Sequence, residues 1–196
     1  MNGPGRPREF DENEILDRGI EYFRTYGYES SAMDGLLQEL GISRQSLYNV
    51  FGNKEEFFNR CIRRYREVWG LQIFAPVFTE NAGLIHLKEN IEYLIKFLTA
   101  DMSKTCLLLR STLEIGDASA CVMREMGIHT EKLKKSISGI LSRAVSCGEI
   151  KRKIDSEKSA AMIVSIIYGL IVMARTERNS RKLEDIASNI WHMLEN

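Results

Sequence analysis

Residues 31–51 of the chain read SAMDGLLQELGISRQSLYNVF, which predicts two short helices joined by a tight turn. Ser31 can cap the first helix, and Asp34 stands three residues later to complete a capping box. Gly41 follows the last apolar position, where a left-handed residue can end a helix without a steric penalty. Ser43 can then cap the second helix. The apolar residues of the first helix share one face: Met33, Leu36, Leu37 and Leu40.

The second helix of this pair is predicted to have an inward and an outward face. Leu47, Val50 and Phe51 point inward at helical spacing. The outward residues are Arg44, Gln45, Ser46, Tyr48 and Asn49. They suit a major groove, because Arg can fork onto guanine, Gln or Asn onto adenine, and Tyr can reach a phosphate or a thymine methyl. The spacing alone also fits a helical hairpin with an ordinary polar face.

Residues 41–58, GISRQSLYNVFGNKEEFF, closely resemble the DNA-binding signature of the tetracycline-repressor (TetR) family. They contain the Gly-hydrophobic-Ser turn, the Leu-Tyr pair, a Phe three residues after the Tyr, and a Lys-Glu pair that opens the next helix. A looser similarity covers GEI at 148–150, Asp155 and YGLIVMAR at 168–175. The resemblance implies a homodimeric transcriptional regulator that binds a pseudo-palindromic operator in double-stranded DNA. It also implies a repressor released by a small-molecule effector, although the residues themselves do not separate a repressor from an activator.

The composition is that of a soluble globular protein whose charges balance. The 196 residues are 44% hydrophobic and 28% charged, with 27 basic and 27 acidic side chains. No apolar run is long enough for a bilayer and no signal-peptide core is present, so we expect a cytoplasmic protein without a membrane segment. Because the charges nearly balance in the first third as well, attraction to phosphate must depend on local asymmetry.

The predicted DNA-binding surface combines the outward helix face with flanking basic residues. At least one of Arg44, Gln45 and Asn49 is expected to contact base edges, and Tyr48, Lys54 and Ser31 are expected to hold phosphates. The leading arm contains two arginines that can lie along phosphates or in a narrow minor groove. The full set is Arg6, Arg8, Ser31, Ser43, Arg44, Gln45, Ser46, Tyr48, Asn49 and Lys54.

The pattern before this pair of helices predicts one more helix, so that residues 1–52 form a three-helix helix-turn-helix head with a basic N-terminal arm. Asp11 can cap that helix together with Glu14, and Gly27 ends its apolar stripe. Helical periodicity continues to the C-terminus and no strand-like alternation occurs, so the fold is predicted to be all-α.

The rest of the chain, residues 53–196, is predicted to be a helical ligand-binding and dimerisation domain. Asn53 can cap a linking helix over 53–73 that belongs to both halves. Gly127 is expected to bend or interrupt a later long helix. Residues 160–174 form a very apolar helix that is too short for a bilayer and too apolar for the surface of a monomer.

Two further sets of residues are predicted in this domain. A mostly apolar cavity with a few polar groups is expected to bind the effector. Within it, Glu114 either pairs with Arg110 one turn back or awaits a cationic or hydroxylated ligand. The cavity residues are Trp69, Phe74, Tyr93, Phe97, Leu109, Thr112, Glu114 and Met123. A four-helix interface with a second copy is expected from Ile163, Ile167, Gly169, Leu170, Met173, Ile186 and Ile190.

Two other functions stay open from the residues. A redox-sensing repressor would need an exposed thiol beside basic residues, and Cys61, followed by Arg63 and Arg64, is the candidate. An all-α enzyme or carrier would need a catalytic cluster, which the sequence does not display, so no enzyme activity is expected. The cysteines and histidines lack metal-ligand spacing, and we expect no metal or cofactor.

Overall fold

A computed structural model of the protein describes residues 10–100, 105–177 and 179–195, which form helices and turns with no β-strand among them. The predicted all-α fold with an N-terminal helix-turn-helix head is confirmed. Arg6 and Arg8 lie outside the described residues, as does the side chain of Trp69. The α-helices are α1 Glu12–Tyr26, α2 Met33–Leu40, α3 Arg44–Phe51, α4 Lys54–Arg64, α5 Gly70–Ile73, α6 Leu84–Ala100, α7 Leu107–Ile115, α8 Ala120–Ser146, α9 Ser156–Met173 and α10 Ser180–Glu195.

Helices α1 to α3 pack around a core that other parts of the chain complete. Ile20, Phe23, Leu36, Leu40 and Leu47 of the head are almost fully buried. The same cluster includes residues from three later helices: Phe57, Phe58, Cys61 and Ile62 of α4, Leu107 and Leu108 of α7, and Val122 of α8. The core of the head therefore continues past residue 52 into the helices of the second half.

Most of the predicted helix caps are present. Ser43 caps α3, and Asn53 forms a full capping box with Glu56 at the start of α4. Gly41 ends α2 in a left-handed conformation with φ of 68°. Asp11 caps α1 through the amide of Asn13, so the expected box with Glu14 is replaced by a single-residue cap.

The predicted cap of α2 is wrong. Its N-cap residue is Ala32, which makes no side-chain hydrogen bond. The hydroxyl of Ser31 instead donates to the backbone carbonyl of Tyr28 at 2.6 Å, and Ser31 is buried. The side chain is used to close the loop between α1 and α2, so it is not available to the helix that follows.

The linking helix changes its winding part of the way along. After α4, residues Tyr65–Trp69 form one π-helical turn, and α5 continues directly from Gly70. π-Turns inside α-helices widen the hydrogen-bond ladder by one residue and recur at functional sites. Here the turn lies where the helix leaves the head and enters the second domain.

The second core lies among α6, α8, α9 and α10. Helix α8 runs from Ala120 to Ser146 without a break, so the predicted interruption at Gly127 is wrong. Helix α9, with 18 residues, is long and apolar enough to cross a membrane by length and composition, so the predicted length argument does not hold. Its buried side chains pack into the core of this domain.

The burial of α9 changes the predicted dimer contacts. Ile163, Ile167, Leu170 and Ile190 are almost fully buried within the subunit itself, so they are not free to contact a second copy. Gly169 and Ile186 are half-buried and Met173 is exposed. Helical periodicity explains the division, because residues 163, 167 and 170 share the face that packs on the subunit's own core.

Candidate nucleic-acid interface and effector cavity

Helix α3 has a polar face towards solvent and an apolar face that is buried in the core of the head. Leu47 and Phe51 are buried in the head core, and the Ser43 hydroxyl accepts a hydrogen bond from the amide of Ser46 at 3.1 Å. Val50 is 37% exposed, so its predicted inward position is wrong. An anchored helix with a solvated outer face is the arrangement that enters a major groove.

The outward side chains of α3 already make contacts in the free protein. The Arg44 guanidinium lies 2.7 Å from the carboxylate of Asp34 on α2, and both side chains are exposed. The amide of Gln45 is 3.4 Å from the Asn49 side-chain oxygen. Tyr48 is 46% exposed. Exposed ion pairs contribute only about 0–1 kcal/mol to stability. Arg44 can therefore leave Asp34 and contact a DNA base at a small cost in free energy.

Lys54 is half-buried, and its ammonium already has hydrogen-bond partners within the head. Its ammonium donates to the carbonyls of Tyr28 at 2.7 Å and Ser31 at 2.5 Å, and it lies 4.6 Å from the centre of the Tyr28 ring. Burial lowers the pKa of Lys54, while the charge of Glu114 acts in the opposite direction. In the free protein Lys54 therefore holds the α1–α2 loop, and its predicted phosphate contact stays a prediction.

Helix α7 of the second domain holds the same loop from the other side. The Glu114 carboxylate accepts hydrogen bonds from the amides of Tyr28 at 3.1 Å and Glu29 at 3.0 Å. The Arg110 guanidinium donates to the last carbonyls of α1, at 2.7 Å to Arg24 and 3.1 Å to Thr25. We call Lys54, Arg110 and Glu114 the loop clasp. Arg110 Nε lies 3.9 Å from Glu114 Oε2, and the shorter hydrogen bonds of both side chains go to backbone atoms of the head.

An enclosed cavity lies between the linking helix and the second domain. Its volume is about 20 Å³. Of the predicted effector residues, Phe74 and Phe97 line it. The remaining lining residues are Arg24, Tyr65, Gly70, Ile73, Leu94, Leu98, Thr105, Cys106, His129, Tyr168 and Ile171.

The other predicted effector residues lie elsewhere. Tyr93 and Met123 are exposed, because they fall on the outer faces of α6 and α8. The Thr112 hydroxyl donates to the Leu108 carbonyl within α7. Leu109 and Glu114 line an open cleft of about 380 Å³ between α7 and α9. The predicted set is therefore spread over the enclosed cavity, the open cleft and the outer faces of other helices.

Sequence reasoning missed His129, which is 3% exposed and lines the enclosed cavity. Burial is the main reason that its pKa falls from 6.5 to about 4, and the charges of Arg66 and Lys132 lower the pKa further. The imidazole is therefore neutral near neutral pH. A signal was present, because His129 stands four residues before Leu133 and seven after Val122, in the register of the apolar face of α8.

The linking helix is tied to α8 by a buried carboxylate one turn before His129. Glu125 is 2% exposed, and its Oε2 accepts from Arg66 Nε at 2.6 Å. Arg124 donates to the other oxygen at 2.8 Å. Burial opposes these contacts, but the hydrogen bonds to Arg66 and Arg124 leave the pKa of Glu125 below its usual value. Glu125 and His129 thus face Arg66 and Gly70 in successive turns of both helices.

Cys61, the candidate for the redox alternative, does not have the exposed, activated thiol which that function requires. Cys61 is fully buried, and burial raises its pKa well above the usual value. Burial also raises the pKa of Cys106, which packs against both cores. Among the described residues, no group of three His, Cys, Asp or Glu side chains stands close enough to hold a metal ion.

An anchored recognition helix on a three-helix head, joined by a linking helix to a second helical core, defines the class as helix-turn-helix transcriptional regulators. Residues 15–61 match the family described as bacterial regulatory proteins, tetR family, and residues 83–190 match the tetracyclin repressor-like C-terminal domain. The chain belongs to the TetR family of DNA-binding transcriptional regulators, as the sequence signature predicted.

Similar proteins extend over most of the chain. It is 30% identical over 160 residues to the uncharacterized HTH-type transcriptional regulator YezE of Bacillus subtilis (strain 168), covering 80% of each chain. It is 24% identical to the HTH-type transcriptional repressor ComR of Escherichia coli (strain K12), covering 93% of this chain and 88% of ComR.

Solved structures share the fold. A TetR family regulator from Agrobacterium tumefaciens superposes with a TM-score of 0.81 at 18% identity, covering 94% of this chain and 97% of that chain. A cysteine mutant of the TetR family regulator CifR, complexed with 26-base-pair operator DNA, superposes with a TM-score of 0.78 at 22% identity. The match covers 96% of this chain and 98% of the CifR chain.

Proposed function

We propose that this protein is a cytoplasmic, homodimeric repressor. It binds a two-fold-symmetric operator through α3 of each subunit and leaves it when a small molecule enters the cavity beside the linking helix. The observation that carries the proposal is the outer face of α3, where Arg44, Gln45, Tyr48 and Asn49 stand exposed above a buried anchor. ComR is named as a repressor, and CifR is bound to operator DNA, which supports the same role here.

The proposed DNA contacts of the individual α3 side chains follow from their chemistry. Arg44 can make two parallel hydrogen bonds to guanine, and Gln45 or Asn49 can do so to adenine. Tyr48 extends from the same face and is placed to reach a phosphate or a thymine methyl. The hydroxyl oxygens of Ser43 and Ser46 are 2.8 Å apart at the start of the helix, and this hydrogen bond orders the first turn. Both hydroxyls are then available to contact the DNA backbone.

The proposed dimer interface uses the outer face of α9. Met162, Val172 and Met173 are each more than two-fifths exposed, which is unusual for three large apolar side chains on one helix. Pairing these faces about a two-fold axis, together with α10, would bury them and set two copies of α3 about 34–36 Å apart, one turn of DNA. This set replaces the predicted contacts that the subunit's own core occupies.

The proposed switch acts through the two attachments of the head to the second domain. Arg66 and Glu125 fix the linking helix to α8, and the loop clasp fixes the α1–α2 loop to α7. A ligand that moves the linking helix must strain one attachment or shift both. It releases the operator only if it binds the shifted arrangement more tightly than the present one.

The two alternative functions have less support. A thiol sensor needs an accessible thiolate, whereas burial raises the pKa values of Cys61 and Cys106. An enzyme needs a nucleophile, a base and an orienting group in one site. Because TetR-family proteins are transcriptional regulators and the enclosed cavity is mainly apolar, we propose that binding, without catalysis, is its role.

The test begins with selection of operator sequences from random DNA by the purified full chain, followed by fluorescence anisotropy titration. We expect a two-fold-symmetric consensus. Arg44→Ala should lower discrimination at defined base pairs by about 1–3 kcal/mol, while Arg181→Ala on α10 serves as the charge-matched control. If selection yields no symmetric consensus, or if Arg44→Ala and Arg181→Ala bind alike, the proposed operator reading is refuted.

A further inference from the structure

The enclosed cavity carries one unsatisfied polar position, at the imidazole of His129. Its Nδ1 atom is buried and has no hydrogen-bond partner in the structure. A buried polar atom without a partner is destabilising, because it has lost its hydration without gaining a hydrogen bond, and such groups in folded proteins call for an explanation. The atom thus marks a point in the cavity wall where a hydrogen-bonding group would be stabilised.

The chain leaves space beside this atom because residue 70 is a glycine. A Cβ built on Gly70 would lie 3.5 Å from His129 Nδ1 and 3.4 Å from Cε1. Gly70 begins α5 directly after the π-helical turn, with ordinary helical φ of −64°. Its conformation does not require glycine, so the open space next to Nδ1 is the feature that alanine would remove.

The charges around the cavity favour an uncharged occupant. His129 is neutral at neutral pH, because burial and the charges of Arg66 and Lys132 lower its pKa to about 4. The guanidinium of Arg24 already donates to the Thr105 carbonyl at 3.0 Å and to Glu21 at 2.7 Å. A ligand carboxylate would have to break these contacts, and a ligand ammonium would be repelled by the Arg24 guanidinium in the cavity wall.

The other residues that line the cavity limit the size and polarity of an occupant. They are mainly aliphatic and aromatic, and include Ile73, Phe74, Leu94, Phe97 and Ile171. The Tyr168 hydroxyl is hydrogen bonded to Thr130 Oγ1 at 2.8 Å, so it already has a partner. With a volume of about 20 Å³, the cavity has room for roughly one water molecule. Any larger occupant must therefore be compact and must enlarge the cavity on entry.

We propose that this cavity binds uncharged, compact ring molecules with one hydroxyl group, which hydrogen bonds to His129 Nδ1. A hydroxyl both donates and accepts, so it suits either tautomer of the imidazole. The inference rests on the proposed function, because it assigns a chemical class to the effector of that regulator. Entry pushes against Gly70 and the π-helical turn, which is the part of the linking helix that Glu125 ties to α8.

The probes are p-cresol, its methyl isostere p-xylene, and the charged analogues 4-methylbenzoate and 4-methylbenzylammonium. Binding to the full chain is measured by isothermal titration calorimetry. Nitrogen-15 NMR of histidine-labelled protein follows the imidazole of His129. We expect p-cresol to bind roughly 5–10-fold more tightly than p-xylene, which corresponds to one net hydrogen bond. Both charged analogues should bind more weakly, and p-cresol should shift the His129 Nδ1 resonance.

Two glycine variants distinguish a loss of ligand binding at the cavity from a loss of protein stability. Gly70→Ala fills the space beside Nδ1 at ordinary contact distances, and alanine favours a helix, so the variant should keep the wild-type Tm or exceed it. It should lose at least about tenfold in p-cresol affinity, about 1.4 kcal/mol. Gly127→Ala is the matched control, because Gly127 is also helical and a Cβ there meets nothing within 4 Å.

Each other outcome overturns the inference. These outcomes are equal binding of p-cresol and p-xylene, stronger binding of a charged analogue, unchanged binding by Gly70→Ala, or no binding of any probe at millimolar concentration. Operator affinity, measured in parallel, tests the proposed function separately. A protein that binds p-cresol at His129 but no operator refutes the regulator proposal alone, and one that binds an operator but no probe refutes the cavity inference alone.

Discussion

The carboxylate of Glu114 accepts a hydrogen bond from the backbone amide of Tyr28 at 3.1 Å, across a separation of 86 residues. The contact joins α7 of the second domain to the loop that positions the helix-turn-helix pair. Glu114 also accepts from Glu29, while Arg110 covers the exposed carbonyls at the end of α1. A movement of α7 is therefore transmitted to the head without passing along the linking helix.

Glu114→Gln should loosen the head from α7. The amide has one acceptor oxygen and no charge, so it cannot satisfy both loop amides as the carboxylate does. We expect the free energy of unfolding to fall by about 1–3 kcal/mol and operator affinity to fall with it. Chemical denaturation and anisotropy titration provide the measurements. Glu131→Gln on α8 is the control, since its exposed carboxylate pairs with Lys134 of the same helix at 2.8 Å. Equal losses in both variants would contradict the clasp.

Lys54→Ala distinguishes a loop clasp from a phosphate ligand. If Lys54 holds the Tyr28 and Ser31 carbonyls, the variant should be less stable and bind the operator less tightly. The dependence of affinity on salt concentration should stay unchanged. A phosphate ligand would instead lower the salt slope by about one unit. Titrations at several salt concentrations decide between them, with Arg181→Ala as a control that should alter neither property.

Asp34→Asn should strengthen operator binding. The Asp34 carboxylate pairs with Arg44 at 2.7 Å and places a negative charge beside the helix that must approach phosphate. Asparagine removes the charge and releases Arg44 for base contact, so we expect several-fold tighter binding and a gain that shrinks at high salt. Glu39→Gln, on the same helix, controls for a general loss of negative charge. An unchanged or weaker affinity for Asp34→Asn would show that the pair does not compete with DNA.

Val172→Glu should produce a folded monomer. Val172 is 45% exposed on the outer face of α9, so glutamate is tolerated in the free subunit but would be buried at the proposed interface. Sedimentation should give the monomer mass with wild-type helicity, and operator affinity should collapse because the two copies of α3 are no longer held together. Ile85→Glu on α6 is the control, because Ile85 is also a large apolar residue with an exposed side chain. A dimeric Val172→Glu protein would place the interface elsewhere.

His129 should make the fold sensitive to mild acid. Its pKa of about 4 in the folded protein lies below 6.5 in the unfolded chain, so only the unfolded chain takes up this proton as the pH falls through that window. Stability is therefore present above pH 6.5 and is lost towards pH 4. Between about pH 7 and pH 5 the loss attributable to His129 is about 2 kcal/mol.

Denaturation curves at several pH values test this dependence. His129→Gln should flatten it between about pH 7 and pH 5. The lowered pKa of Glu125 contributes in a different window, because its stabilisation is lost only as the pH falls below the ordinary value of 4.5. A pH dependence that is identical in wild type and His129→Gln would contradict the buried neutral imidazole.

Local sequence determined the elements of this protein. Helix starts at Ser43 and Asn53, the left-handed end at Gly41 and the outward face of α3 all depend on residues within a few positions of one another. Hydrogen bonds and side-chain periodicity act over that range, so one sequence is enough to predict them. The family signature in residues 41–58 is local in the same sense.

Only the tertiary structure decided what the charged and polar side chains do. Lys54 and Ser31 turn to the α1–α2 loop, Glu114 reaches the head, and His129 becomes a neutral wall of a cavity. Their roles depend on partners that come from elements distant in sequence, and on whether water remains beside them. Burial and charge pairing are properties of the packed chain, so periodicity can assign a residue to a face but cannot tell which neighbour that face will meet.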